Sequence, residues 1–347
     1  MPVPSSSLPV VDFSLTDKEA AAQLGKTCRT IGFFVIINHG IDESLFKQVF
    51  SVSNEFFTTV SQEEKEKHLI RSDNRGYSSF ATEKLDPSSN QSDNKECFNV
   101  VPGEPGSFDD FRNPKSGVEG AADCKEFDFR WPLGPAELRT TSLRYIKEIL
   151  EKVNDRLHRL IAIDLGLENP ETFFRPFFEV PMATLRYLRY PGDKAQEHID
   201  EKKEEKNQEE KEKEKQEGEL RIAAGAHTDY DSVTYLVTDD VGGLQVIHRE
   251  TGEWIDAPAL PKLGSGIIVN IADCMMRWTN DIYKSTMHRV LQPKRPRLSV
   301  ALFVGPHPST KISALPGTGE AKYEEITAGE HLMQKLNATY DFRKQEK

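Results

Sequence analysis

The sequence predicts a mainly β protein with flanking helices, its β part a sandwich or jelly roll. Two observations carry this. Up to Leu165 the apolar residues recur mostly with helical period. Beyond it the chain breaks into short β-branched and aromatic runs, "ATLRYLRY", "SVTYLVT", "GLQVIH", "GIIVNIA", "HRVL" and "RLSVALFV", split by Gly, Pro and Asp. Strands at such regular spacing suit packed or closed antiparallel sheets.

Near the start, "PVVDF" reads as a short strand, "EAAAQLGKTCRTIG" as an amphipathic helix, and "FFVIINHG" as a strand closed by glycine. Glu43 to Phe57 follows as a helix. "SQEEKEKH" opens another, with Ser61 as N-cap and Glu64 three residues on in a capping box. Residues 73–131 turn rich in Ser, Asn, Gly, Pro and Asp and read as loop. From Ala136 to Leu165, apolar residues at Leu143, Ile146, Leu150, Val153, Leu157, Leu160 and Ile161 keep helical spacing, as in a long helix packing on something flat. The run "DEKKEEKNQEEKEKEKQEGE", residues 200–219, has almost no apolar residue and reads as a solvated insertion between strands. These shifts divide the chain into an N-terminal region, residues 1–131, and a second, residues 132–347, holding the long helix, the β core and the insertion.

With 347 residues the chain can bury a sizeable core without disulfides. Cys28, Cys97, Cys124 and Cys274 form no C-x-x-C pair and are too sparse for a secreted framework or a zinc site, so a reducing compartment is the simpler setting. No apolar run approaches the roughly 20 residues of a membrane helix, and the N-terminus lacks a basic n-region and a long apolar h-region. A soluble, cytoplasmic monomer without a membrane partner is expected. The formal net charge of -11 disfavours nucleic acid, which leaves a small molecule as the expected partner.

The chemistry lies in "AGAHTDYDSVTYL". With nine histidines in the chain, an H-x-D is expected roughly 0.5 times by chance, so the motif alone decides little. A second instance, His198 and Asp200, sits at the edge of the charge run, without rigid support for a metal. His227 and Asp229 differ: a strand of period two puts both on one face, and "SVTYLVT" continues that strand toward the core. Two imidazoles and one carboxylate on one octahedral face are the ligand set of a mononuclear iron(II) oxygenase. The second imidazole must then come from another strand. His288 in "NDIYKSTMHRVLQP", sharing a strand face with Val290, is the best candidate, whereas His307 in "GPHPST" and His248 beside "HRETGE" read as loop histidines. Farther on, Arg297 and Ser299 share a face of "RLSVALFV" with Ala301 and Phe303. An inward arginine needs an anion, and a guanidinium beside a hydroxyl suits a carboxylate held bidentately.

Taken in order, "GFFVIINHGI", "RGYSSF", "LRYP", "HTDYDSVTYLVTDDVGGLQV", "WTNDIYKSTMHRV" and "RLSVALF" make a chain that resembles, over nearly its whole length, the non-haem iron(II) and 2-oxoglutarate dependent dioxygenases of the isopenicillin N synthase-like group. The resemblance implies a double-stranded β-helix (jelly roll) core, His227, Asp229 and His288 as ligands of Fe(II), and Arg297 with Ser299 on the distal carboxylate of the cosubstrate 2-oxoglutarate. It implies Tyr190 as a further cosubstrate contact and O2 as oxidant. Relatives often carry Asn two residues before that tyrosine, where this chain has Leu188, and the charged insertion is a second departure. "RGYSSFATEKLDP" and "KYEEITAGEHLMQKLNATY" look most like a branch holding plant homoarginine hydroxylases, fungal thymine hydroxylase and ethylene-forming enzymes, so a guanidino amino acid or a heterocycle is an expected substrate.

Three functions fit. The first is a dioxygenase that oxidises a small molecule with release of succinate and CO2. The second is an iron oxidase using O2 without 2-oxoglutarate, and the third a non-catalytic binding protein on the same scaffold. In the segment from Arg75 to Phe98, the acids Glu83, Asp86 and Glu96 either turn inward to suit a cationic substrate or remain solvated.

Overall fold

The computed structural model describes residues 8–70, 74–86, 92–102, 134–192, 221–259 and 266–339. Eight consecutive strands form its centre: β5 (Met182–Tyr190), β6 (Ile222–His227), β7 (Val233–Thr238), β8 (Leu244–Ile247), β9 (Trp254–Asp256), β10 (Ile267–Ile271), β11 (His288–Leu291) and β12 (Arg297–Gly305). The chain passes back and forth between two sheets. β10, β7, β12 and β5 lie side by side in one, and β6, β11, β8 and β9 make up the other, every pair antiparallel. This is the double-stranded β-helix expected from the sequence.

The larger sheet has eight strands because early segments extend both edges. β1 (Val10–Asp12) and β2 (Phe33–Ile37) add beyond β10, and β4 (Glu96–Val100) and β3 (Gly76–Ser78) add beyond β5. Residues 73–131 are therefore not loop throughout. The loop reading failed because Glu96, a charged residue in a strand of buried residues, meets Lys65 at 3.3 Å, Arg189 at 2.7 Å and the Tyr77 hydroxyl at 2.8 Å. A hydrophobic pattern carries no signal for a charge that is buried because it is paired.

Strand period sorts the two faces of the larger sheet. Val300, Leu302 and Val304 of β12, with Val233, Tyr235 and Val237 of β7, face outward and are buried under helices, while Arg297, Ser299, Ala301 and Phe303 face the smaller sheet. The covering layer is the long helical run, in three parts: α4 (Leu138–Glu148), a π-helical turn (Ile149–Asn154) and α5 (Asp155–Asp164). Ser142 Oγ lies 2.8 Å from the Tyr187 hydroxyl, and the Tyr235 hydroxyl donates to Asn154 Oδ1 at 2.9 Å, fixing the run to the sheet. A π turn adds a residue and rotates the stripe that follows, so one 3.6-residue stripe does not serve both halves. Leu143, expected on the buried face, is 38% exposed.

α1 (Asp17–Thr30) and α2 (Glu43–Thr59) complete the helical layer, packing on α5 and α4 respectively. α3 (Gln62–Glu66) is capped by Ser61, whose Oγ accepts from the Glu64 N–H, yet Glu64 bonds to His68 and Lys67 rather than closing a box. The complete capping box is Thr16 with Glu19. α6 (Asp273–Trp278) follows β10; β13 (Lys311–Ile312) and β14 (Ile326–Thr327) pair, and α7 (Ala328–Thr339) ends the described chain. The charged insertion, His198, Asp200 and Cys124 lie outside the described residues. Among those described, no helix is long and apolar enough to cross a membrane.

Glu96→Ala leaves Lys65 buried without its carboxylate, and denaturant unfolding is expected to show a loss of about 3–5 kcal/mol. Thr16→Ala, which removes only an exposed cap, is expected to cost about 1 kcal/mol.

Candidate functional site

Between the two sheets lies a cavity of about 130 Å³, and His227, Asp229, His288, Arg297, Ser299 and Tyr190 all line it. His227 ends β6 and His288 begins β11, directly opposite each other in the ladder, with ring centroids 4.3 Å apart. Asp229 is not on the same strand as His227, as the sequence suggested. It sits in the connection from β6 to β7, where the chain leaves one sheet for the other, and this turn still brings its carboxylate back to the imidazoles.

The three side chains meet without satisfying one another. Asp229 Oδ1 is 3.6 Å from Nε2 of both His227 and His288, beyond hydrogen-bond range. One ligand atom from each lies within 4.8 Å of the others. The outer nitrogens are engaged elsewhere, His227 Nδ1 on the Gly225 carbonyl at 2.7 Å and His288 Nδ1 on the Thr286 carbonyl at 3.1 Å. A carbonyl can only accept, so each Nδ1 carries the proton and each Nε2 turns a lone pair inward. Asp229 Oδ2 accepts from Thr234 Oγ1 at 2.6 Å and from Asn270 Nδ2 at 2.8 Å, leaving Oδ1 for the centre. Burial, with His288 adding to it, pushes the His227 imidazole down to about 4, so it is neutral at pH 7. Burial would raise Asp229, but His288, His227 and the two hydrogen bonds outweigh it and hold the carboxyl below its ordinary value. Two imidazoles that turn Nε2 inward and a carboxylate held below its ordinary range, each oriented by an outer partner, suit a divalent metal.

Arg297 is 1% exposed. Its Nε donates to the Val241 carbonyl at 3.3 Å, its Nη1 to Ser299 Oγ at 3.2 Å, and its guanidinium lies 4.9 Å from the Tyr190 ring centroid. Among the described residues no carboxylate forms an ion pair with it. Two other cations on the cavity wall are paired: Lys95 lies 3.2 Å from Glu83 and 2.5 Å from Asp93, and Arg186 lies 3.2 Å from Glu83. Leu188 lines the wall opposite Ser299 in the ladder.

Glu83 and Glu96 are neither solvated nor free for a cationic ligand, since both are buried on the chain's own Lys and Arg side chains. His307 and His248 stay in turns away from the cavity. Sequence reading passed over four residues: Thr234 and Asn270, which orient Asp229; Lys95; and Asp231. The available signals were a lone amide in "GIIVNIA" and a second acid in "HTDYD". Asp231 lines the cavity, is 8% exposed, and its Oδ1 has no hydrogen-bond partner among the described residues. Burial, with the Asp229 charge, pushes it up to about 7.

Comparison with known proteins points the same way. Residues 8–118 match the family described as non-haem dioxygenase in morphine synthesis N-terminal, and residues 188–306 match the 2OG-Fe(II) oxygenase superfamily. A 2-oxoglutarate-Fe(II) type oxidoreductase of Emericella nidulans is 32% identical, with 92% of this chain and 86% of the relative covered. A homoarginine-6-hydroxylase of Oryza sativa subsp. japonica is 29% identical over 92% and 88%. A full-length Neurospora crassa protein, solved in complex with alpha-KG and thymine, superposes with a TM-score of 0.72 at 27% identity, covering 95% of this chain and 96% of that one.

Asn270→Ala frees Asp229 to rotate, and titration with Fe(II) or a redox-inert divalent ion is expected to show affinity reduced roughly 10–100-fold. Thermal stability should change far less.

Proposed function

The chain belongs to the 2-oxoglutarate and iron(II)-dependent oxygenase superfamily, and from that premise we propose that His227, Asp229 and His288 are its metal ligands and that Arg297, with Ser299 and Tyr190, grips the distal carboxylate of 2-oxoglutarate. The protein is an Fe(II)- and 2-oxoglutarate-dependent dioxygenase that oxidises a small-molecule substrate with release of succinate and CO2. Bound at the site, Fe(II) with 2-oxoglutarate and O2 supplies the oxidising chemistry, one oxygen atom of O2 going to succinate and the other to the substrate.

One observation carries the assignment of residues. The three converging side chains and a buried guanidinium with no ion-paired acid among the described residues face a single cavity. A charge buried that deeply is costly unless an anion meets it, and a dicarboxylate reaching from Arg297 toward the triad supplies that anion. The chain's own work is positional. Gly225 and Thr286 carbonyls fix the imidazole tautomers, Thr234 and Asn270 hold Asp229, and the Tyr190 ring supports the guanidinium. Apolar walls from Phe33, Leu85, Leu332 and Leu336 keep water from the reacting centre.

The iron-oxidase and binding-protein readings lose ground because relatives across nearly the whole chain are named for 2-oxoglutarate and Fe(II). A guanidino amino acid or a heterocycle is the proposed substrate class, supported by the homoarginine-6-hydroxylases among the relatives and by thymine in the similar Neurospora structure. Action as a monomer belongs to the same proposal. Cys28, Cys97 and Cys274, buried and unbridged, support a reducing, cytoplasmic setting.

His227→Ala or His288→Ala is expected to abolish substrate-dependent succinate formation and stoichiometric Fe(II) binding while circular dichroism and melting stay near wild type; full activity with bound iron in either variant would refute the ligand set. Arg297→Ala is expected to cost about 3–5 kcal/mol of 2-oxoglutarate binding, read as a steep rise in the cosubstrate concentration for half-maximal rate.

A further inference from the structure

The cavity holds a second group whose charge the cosubstrate does not answer. We infer that Asp231 is the specificity-determining anion of the substrate pocket, and that the substrate presents to it a cationic, N–H-donating group such as a guanidinium or an ammonium. The inference rests on the site reading above and deepens it by naming the substrate's charge.

The register of β12 orders the groups along the cavity. Arg297 and Ser299 stand at its first residues, Ser299 opposite Thr238 of β7; Phe303 stands opposite Thr234, the residue that holds Asp229; and Gly305 ends the strand. The Asp231 carboxylate lies at that last position. A Cβ added to Gly305 would fall 2.7 Å from Asp231 Oδ1 and 3.0 Å from Met182 Cε, so the missing side chain of Gly305 is what gives the carboxylate its room. The metal ligands thus separate the Arg297 end, taken by 2-oxoglutarate, from the Asp231 end. Two residues beyond Asp229, Asp231 is at most about 7 Å from it along the chain, close enough for a group bound there to hold a neighbouring carbon near the metal.

Among the described residues Asp231 forms no ion pair. Its Oδ1 is buried without a hydrogen-bond partner among them, and Asp229, of like sign, stands two residues away. Lys95 and Arg186 are held by Glu83, and Lys335 of α7 is held by Asp273 at 2.7 Å. The remaining walls near this end include Phe303, Leu332 and Leu336. A buried carboxylate in such surroundings is expensive unless a ligand supplies donors, and a cationic donor recovers more than a neutral one.

The test is anaerobic calorimetry of the protein loaded with Fe(II) and 2-oxoglutarate, using L-homoarginine, L-arginine and thymine as probes, on wild type, Asp231→Asn and Asp231→Ser. Wild type is expected to bind the cationic probes more tightly than thymine. Both variants are expected to lose cationic affinity by about tenfold or more, with 2-oxoglutarate affinity and melting temperature retained, a split that a merely structural role for Asp231 would not produce. Wild type with no preference for the cationic probes, or variants that bind them as wild type does, would overturn the inference alone. Failure of wild type to bind 2-oxoglutarate would overturn the site reading and this inference with it.

Discussion

In an antiparallel ladder, directly opposed residues bring their side chains together, and a slip of one residue turns a strand's side chains to its other face. The ladder between β6 and β11 sets His227 opposite His288, and the geometry of the site depends on that register. The pairing becomes irregular just past the histidines, with shifts on either side of Val290, as expected where a strand bends away. β6 ends at His227 itself, on the other side of the histidine pair from these shifts, and its continuation crosses to β7 in the other sheet. That crossing, rather than strand period, returns Asp229 to the imidazoles. Gly225 supports it from behind: a Cβ there would meet the Asp86 backbone nitrogen at 2.9 Å, so only glycine lets Asp86 settle onto β6. Two further residues bond to the strand, Asp93 accepting the Gly225 N–H at 2.9 Å and the Asn94 N–H reaching the Ala223 carbonyl at 2.8 Å.

The cavity wall separates its charges into those the chain answers and those it leaves for a ligand. Glu83, Asp93, Lys95 and Arg186 form one network with carboxylates and cations in contact. Burial alone would lower the Lys95 pKa, but Glu83 and Asp93 more than offset it and hold the value above the ordinary one, so the ammonium stays charged and committed. Removing a partner from such a network strands a charge in a medium that cannot solvate it. Among the described residues Arg297 is already in that condition, bonded to a carbonyl and a hydroxyl and set beside a ring, with no carboxylate in ion-pair contact. Its stability within the fold is therefore coupled to whatever anion enters the cavity.

The strands were legible in the sequence because each is a short β-branched or aromatic run ended by Gly, Pro or Asp. His288 was legible because it stands alone at a strand start after a polar turn. The added strands β3 and β4 were not, since Glu96 and its neighbours make sense only once Lys65 and Arg189 are beside them in space. Asp229 was found for an incomplete reason: H-x-D spacing does bring the two side chains together, but through a turn between sheets. Thr234 carries no local signal, and Asn270 only the weak one of a lone amide in an apolar run. A threonine inside "SVTYLVT" and an asparagine inside "GIIVNIA" read as ordinary strand residues until the two strands pair, Asn270 opposite Thr234, and both reach one carboxylate oxygen.

Asp229 and Asp231 stand two residues apart, both buried beside the same cavity, and their surroundings push them in opposite directions. Asp229 has two donors on one oxygen and two imidazoles near the other, and its carboxyl lies below the ordinary range. Asp231 has burial and a neighbouring negative charge, and it rises to about 7. Burial is common to the two, so the difference lies in the partners. A carboxylate stabilised in advance by fixed donors keeps its orientation whatever occupies the cavity, as a permanent ligand must. One left without donors is sensitive to its occupant, as recognition requires. Placing both in "HTDYD", on either side of the point where the chain enters β7, lets one short connection hold the proposed metal ligand rigid while leaving its neighbour responsive to what the enzyme oxidises.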